Sequence, residues 1–236
     1  MLFAGRAMQG SQERSDTAMR VNTTITTVPS FEPVSTAQCK AHLRIFHSLD
    51  DTYIAASTSG STSIITTARQ MIENYCGIAI PNTTFTSVYD AFPQNTPVQG
   101  SSGEVYNGSG YEIALPRSPL VSVTSVQYVD TSGNTQTLSA STDYTVKSYN
   151  GIGRIQLLDG KSWPSLVGGG AGVVTVVYVA GWGSTATAIP IALKHAILMQ
   201  CSTLYDYRST LSPGQQYEVP STIKALIAQY KSGEYQ

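Results

Sequence analysis

The chain has 236 residues and a formal net charge of −1, and only 12% of its residues are charged, against about 25% in ordinary soluble domains. This balance argues against nucleic-acid binding by charge, and no run of about 20 apolar residues predicts a membrane span. The composition favours a subunit of an assembly, or an exported β-rich protein, over a lone cytosolic enzyme.

Residues 1–33 are predicted to form an N-terminal extension followed by an extended lead. Beyond them the hydrophobic period divides the chain, being helical in residues 34–80 and 186–236 and strand-like in residues 81–185. We therefore predict an α+β fold, in which a small α-helical bundle of about four helices is interrupted by an antiparallel β-domain insertion of about 100 residues.

The first predicted helix, over residues 35–46, begins with a capping box formed by Ser35 and Gln38. Its apolar face comprises Thr36, Cys39, Leu43 and Phe46. A second face is polar and comprises Lys40, Arg44 and His47. Because Cys39 belongs to the apolar face, we expect a buried thiol there.

A second helix is predicted to start at Ser48, with Asp50 and Asp51 in its first turn, where the helix dipole favours negative charge. Its apolar seam runs to Cys76, after which Gly77 is the expected left-handed end residue. The tract STSGSTS in the middle of this segment is a poor helix former, and it predicts a break or a tightly packed turn.

The insertion contains strand-like segments with alternating β-branched and aromatic residues. These are residues 83–89, 111–115, 123–129, 135–139, 143–148, 154–158 and 173–180. Residues 130–134 predict a hairpin turn between two of them. A third helix is predicted to open at Pro190 and a fourth at Pro220, each with an apolar stripe.

Two kinds of reactive site have partial signals in the sequence, and neither has a complete motif. Cys39 and His42 could share a helix face as zinc ligands, but a tetrahedral zinc site needs about four ligands. A serine hydrolase could use His195, yet the chain has no GxSxG nucleophile motif. We therefore expect no metal, no cofactor and no catalysed reaction, with a zinc protein or a hydrolase as the lesser alternatives.

Several short motifs follow one another in a distinctive order. Residues 28–45 have a proline-containing lead with EPVS and a helix with KAHLR, and residues 68–77 read ARQMIENYCG. Residues 115–139 begin with LPRSP, and residues 176–209 have a strand, a Gly-Trp-Gly turn, Ile-Pro and a helix that ends in YDYR. Over residues 21–231, this order resembles the tailed-bacteriophage head–tail connector (adaptor) family, although the STSGSTS tract departs from the usual Ala/Leu-rich helix.

The resemblance implies a structural virion neck protein that catalyses no reaction. Such proteins form a ring, usually a dodecamer, which docks on the portal, extends the DNA channel and joins the phage head to the tail. The implied partners are other copies of the chain, the portal protein, a downstream neck or tail protein and double-stranded DNA that passes non-specifically, with no membrane. The implied location is the virion neck, after assembly in the host cytoplasm.

In such a ring, polar residues of the first helix and the turn after it are candidates for contacts between subunits, as is the arginine near the end of the third helix. This interface set comprises Lys40, Arg44, His47, Asp50, Asp51 and Arg208. The resemblance also implies that the C-terminal segment docks on the portal, through Tyr217, Tyr230, Lys231 and Tyr235. A solvated polar face, or a helix cap in the case of Arg208, is the simpler interpretation of the interface set.

Two further classes of protein stay open. A stopper or a tail terminator would be a different structural component of the neck or tail end. An exported adhesin-like β domain would also fit the composition, but the flanking helices argue against it.

Overall fold

The computed structural model describes residues 21–55, 63–93, 97–99, 105–107, 112–168, 171–207 and 220–231. The helices of this part are Thr36–Leu43 (α1), Asp51–Ile54 (α2), Ile64–Cys76 (α3), Ile191–Asp206 (α4) and Ser221–Ile227 (α5). Its strands are Val21–Thr27 (β1), Thr83–Tyr89 (β2), Pro97–Gln99 (β3), Val105–Asn107 (β4), Glu112–Ala114 (β5), Leu120–Val129 (β6), Thr135–Leu138 (β7), Tyr144–Tyr149 (β8), Ile152–Leu157 (β9) and Val174–Ala180 (β10).

The strands form two antiparallel sheets and a separate hairpin. One sheet has the order β1-β2-β10-β6-β7, the other has the order β5-β9-β8, and β3 pairs with β4. Helices lie before and after the main run of strands, so the predicted α+β class with a β insertion is confirmed. None of the described helices is both long enough and apolar enough to cross a membrane.

The two larger sheets share one apolar core. Phe85, Tyr89 and Tyr178 of the five-stranded sheet belong to the same buried cluster as Ile113 and Ile155 of the three-stranded sheet. β2 and β10 alternate buried and half-buried residues along their whole length, which is the pattern of strands with one face on a core. The period of two in the sequence therefore placed these strands correctly.

The first strand was not predicted from the sequence. Residues 21–27, which we had placed in the extended lead, pair antiparallel with β2 and form the edge of the five-stranded sheet. Only its richness in the β-branched residues Val, Ile and Thr gave a signal, and most of its side chains are exposed. An edge strand lacks the apolar alternation that a strand with a buried face shows.

The helices bury a second apolar cluster, the helical core. It includes Cys39 of α1, Ile54 of α2, Ile65, Ala68 and Ile72 of α3, Leu193, Ile197 and Cys201 of α4, and Ile223 and Ile227 of α5. These residues recur at three- and four-residue spacing along α3, α4 and α5, as the sequence predicted. The predicted left-handed end of α3 is also confirmed, because Gly77 has a φ of 70°.

Two predicted helix bounds are wrong. α1 stops at Leu43, since Arg44 adopts a left-handed conformation with a φ of 57°, and the predicted apolar face therefore ends before Phe46, which is 92% exposed. The second helix has one turn at Asp51–Ile54, and Asp50 rather than Ser48 is at its N-cap. Ser63 caps α3 by accepting a hydrogen bond from the Thr66 amide. The apolar seam predicted for the second helix therefore continues in a separate helix, α3.

Two chain segments connect the helices to the sheets, one from α3 to β2 and the other from β10 to α4, and they run side by side. The Trp182 amide donates to the Ile80 carbonyl at 3.0 Å, and the Asn82 amide donates to the Gly183 carbonyl at 3.0 Å. The Gly181 amide donates to the Pro119 carbonyl at 2.9 Å. These backbone hydrogen bonds join the end of β10 to the start of β2, so the position of the helical core relative to the sheets is fixed at this crossing.

Candidate functional site

Five of the interface candidates lie on the end of α1, the turn that follows it and the start of α2, namely Lys40, Arg44, His47, Asp50 and Asp51. Lys40 Nζ lies 2.5 Å from Asp51 Oδ1 and donates a hydrogen bond to the His47 carbonyl at 2.7 Å. Lys40 is half-buried, and its contacts within the same chain join α1 to the turn and to the start of α2. Arg44 and His47 themselves are exposed.

The second end of this turn is fixed to α4. The Tyr205 hydroxyl and Asp50 Oδ2 are 2.5 Å apart, and the Tyr53 hydroxyl donates to the Leu204 carbonyl at 3.5 Å. Asp50 thus holds the start of α2 against the C-terminal half of α4. The turn is a fixed feature of the helical surface, because both of its ends are bound to the body of the protein.

Two large apolar side chains project from this fixed turn, the apolar turn of residues 44–50. Phe46 is 92% exposed and Leu49 is 89% exposed, the highest values among the large apolar side chains of the described residues. Exposed aromatic anchors of this kind are typical of protein–protein contact sites. Sequence reasoning had assigned Phe46 to the core, so it missed this pair, and only the helix-ending conformation of Arg44 would have corrected the assignment.

A second site, the buried ion cluster, joins the lead, α3 and the crossing. Arg69 Nε donates to Glu32 Oε2 at 2.8 Å, and Arg69 Nη1 donates to Glu73 Oε2 at 2.5 Å. Glu32 also accepts from the Thr66 hydroxyl at 2.9 Å, and Glu73 accepts from the Ile80 amide at 2.8 Å. The Glu32 and Arg69 side chains are 1% and 5% exposed, so the charges depend on each other rather than on water.

Burial and charge act in opposite directions on the titrating groups of this cluster. Burial raises the pKa of Glu73 above its ordinary value, against the opposing effect of Arg69. Burial lowers the pKa of Arg69, but the Glu73 and Glu32 carboxylates raise it by more, so the net pKa lies above its ordinary value. Arg117 adds positive charge from the β side and donates to the Glu73 carbonyl at 3.1 Å.

The cluster gathers residues from three of the motifs on which the family resemblance rested. Glu32 comes from EPVS, Arg69 and Glu73 from ARQMIENYCG, and Arg117 from LPRSP. The four-residue spacing of Arg69 and Glu73 on one helix was a signal for their pairing. No signal in the sequence placed Glu32 or Arg117 beside them, because those contacts span 37 and 44 residues.

Among the described residues, those of the zinc and hydrolase alternatives do not form a complete site. Cys39 is buried, and the neighbouring Cys201 lowers the pKa of its thiol. His42 is exposed and its ring meets that of His195 edge-on, with 6.1 Å between the centroids. In the described ranges no three metal-ligating side chains converge, and no hydrogen bond joins His195 to a serine.

Two of the portal candidates, Tyr230 and Lys231, contact aromatic side chains of the helical part. The Tyr230 ring packs edge-on against Trp182 at 5.6 Å, and Lys231 lies over the Tyr75 ring at 5.2 Å. Both residues therefore hold the C-terminal helix α5 against the helical core. Arg208, Tyr217 and Tyr235 lie outside the described residues.

Comparison with solved structures finds six similar chains, of which three are described. The first is in "Neck of empty GTA particle computed with C6 symmetry", with a TM-score of 0.67 and 20% identity. The second is in "Virion of native gene transfer agent (GTA) particle", with a TM-score of 0.63 and 21% identity, and the third is in "Neck of native GTA particle computed with C12 symmetry", with 0.58 and 20%.

Each match covers 89% of this chain and 95% of the other chain. The fold of this protein is therefore shared, over most of its length, with chains of gene transfer agent particles. No protein-family model matches the chain, and no curated protein matches it.

Proposed function

We propose that this chain is a structural neck protein of a phage-like virion, a head–tail connector that forms a ring on the portal. The observation that carries the proposal is the fold, which agrees with neck and virion chains over 89% of this sequence. Two of those structures were computed with C6 and C12 symmetry, which supports a ring of copies. The family motifs point to the connector among the neck components.

The function proposed is assembly, with no catalysed reaction. Each copy presents the apolar turn on a body in which the buried ion cluster joins the lead, α3 and the crossing. A ring of copies buries surfaces that a single copy leaves exposed. A near-neutral chain with 14 basic and 15 acidic residues also suits a DNA conduit, because it does not hold the phosphate backbone strongly. The partners proposed are the portal on one side and the next neck or tail protein on the other.

Co-sedimentation with the purified portal protein of the same virus tests the proposal. We expect binding that approaches one copy per portal subunit, in a complex that stays intact on gel filtration. A chain that remains free in the presence of portal, and that binds a tail tube or a further neck component instead, would be a stopper or tail terminator.

We predict that the double variant Phe46→Ser, Leu49→Ser assembles at least about tenfold more weakly than the wild type, because it removes two apolar anchors. The free energy of unfolding of the monomer should change by less than about 0.5 kcal/mol, since both side chains are solvent-exposed. Sedimentation velocity over a concentration series measures the first quantity, and urea unfolding measures the second. Val146→Ser, on exposed β8, is the control and should assemble normally.

A second prediction separates portal docking from folding in the C-terminal segment. Truncation at Pro213 would also remove α5, whose Ile223 and Ile227 belong to the helical core, so point substitutions are more informative. Tyr217→Ala together with Tyr235→Ala should weaken portal binding. Tyr230→Ala should lower the melting temperature, because its ring packs on Trp182; unchanged portal binding in the double variant contradicts the docking role.

A further inference from the structure

Among the described residues, the five-stranded sheet ends on one side at β1, and its pairing with β2 has one register shift, between Ile25 and Thr27. β1 has seven residues, Val21–Thr27, and none of them is charged or proline. Natural edge strands are commonly short, or carry a charged residue or proline that discourages pairing with another chain. β7 has only four residues, and β8 carries Lys147, so these edges are protected in the usual ways.

Ile25 shows that this edge lacks a cover in the described part of the chain. It pairs with Phe85, so the two side chains lie on the same face of the sheet. Phe85 is 5% exposed whereas Ile25 is 50% exposed, although this face is the buried one in β2 and β10. A further strand along β1 would cover Ile25 and satisfy the outward backbone groups.

The hairpin of β3 and β4 likewise has no further strand beside it among the described residues. It is a two-stranded sheet of three-residue strands, and within the described ranges it pairs with no third strand. An isolated two-stranded hairpin is marginally stable in water, and three strands are normally needed for independent stability. Neither strand carries a charged residue, so pairing with uncharged β1 would place no unpaired ion at the junction.

We infer that the β3–β4 hairpin of one copy adds to the β1 edge of the next copy and so links neighbouring subunits of the ring. The inference rests on the proposed function, because a closed ring requires a head-to-tail contact between two different surfaces of the same chain. Backbone hydrogen bonds supply the affinity in such strand addition. The hairpin and the edge strand provide these two surfaces, and the apolar turn would lie elsewhere on the same interface or against the portal.

Two variants each remove one half of this contact. Ile25→Lys places a charge on the acceptor edge, and replacement of residues 97–107 by a short Gly-Ser linker removes the donor hairpin. Val121→Lys is the matched control, since Val121 is 51% exposed and lies on β6 of the same sheet, in a stretch that β7 does not cover. Circular dichroism melting of each monomer checks that the fold is kept.

We expect each of the two variants alone to assemble at least about tenfold more weakly than the wild type, with Val121→Lys unchanged. An equimolar mixture of the two should form one-to-one heterodimers and no rings, because one intact acceptor then meets one intact donor. Native mass spectrometry of the mixture gives this result directly. Hydrogen exchange should show that the β1 amides that point away from β2 are protected in the ring and exchange rapidly in the monomer.

Three results overturn the inference while leaving the proposed function intact. They are rings formed by Ile25→Lys as by the wild type, rings lost equally in Val121→Lys, and outward-pointing β1 amides that are already protected in the monomer. The last result would show that another segment of the same chain covers the edge. A wild-type chain that assembles neither alone nor on the portal contradicts the proposed function itself.

Discussion

Arg69→Ala is expected to destabilise the protein by about 3 to 5 kcal/mol, because it leaves two buried carboxylates without their shared cation. Arg69 makes hydrogen bonds to both Glu32 and Glu73, whose side chains are 1% and 11% exposed. Water cannot replace the guanidinium at these positions without opening the packing of the lead on α3. Urea unfolding at pH 7, monitored by circular dichroism, measures the loss.

Arg154→Ala is the matched control for this substitution. Arg154 pairs with Glu112 between β5 and β9, and both side chains are more than one-fifth exposed. A pair of this kind contributes less than about 1 kcal/mol, because water solvates each partner when the other is removed. Equal losses for the two arginines would contradict the assignment of Arg69 to a buried, coupled cluster.

Acidification should reduce the loss of stability that Arg69→Ala causes. Burial raises the pKa of Glu73 above its ordinary value of 4.5, and removal of the opposing Arg69 should raise it further. A carboxyl whose pKa is higher in the folded state binds its proton more tightly there, so its contribution to stability is full below the unfolded pKa and is lost as pH rises through the folded pKa. The deficit should therefore be largest near neutrality and smallest below about pH 4.5.

Gly181→Ala is expected to cost about 2 to 6 kcal/mol, from backbone strain and steric overlap together. Gly181 has a φ of 146°, and a Cβ there would lie 2.6 Å from backbone atoms of Pro81 and Asn82. Those atoms belong to the opposite connection of the crossing, and they cannot move without breaking its hydrogen bonds. Thermal and urea unfolding should both show the loss.

Gly168→Ala provides the comparison for Gly181→Ala. A Cβ at Gly168 would meet no atom within 4 Å, so the change should alter stability by less than about 0.5 kcal/mol. Because the crossing sets the helical core against the sheets, Gly181→Ala should also weaken assembly more than its loss of stability alone explains. Full stability in Gly181→Ala would contradict the close approach of the two connections.

Most of the fold could be predicted from hydrophobic period. β2 and β10 alternate strictly, and α4 repeats its apolar residues every three or four positions, so burial of one face produced a readable pattern. The pattern failed where one residue changes the backbone locally. Arg44 ends α1 in a left-handed conformation, and this single φ value turned Phe46 from a predicted core residue into an exposed one.

The candidate site was less predictable because its contacts join distant parts of the chain. Lys40, Asp50 and Asp51 were identified as a polar group, but their pairing inside the chain depends on how α1, α2 and α4 fold together. The buried ion cluster requires Glu32 to reach α3, and nothing local to Glu32 indicates this contact. Open edges such as β1 are also absent from sequence patterns, since exposure is a property of the assembled sheet.

Electron microscopy of the purified protein mixed with its portal tests the central claim most directly. We predict a closed ring of copies, coaxial with the portal and directly against one of its ends, around a channel continuous with that of the portal. Portal particles without added density, at protein concentrations well above those of the portal, would contradict the assignment of this chain as a connector.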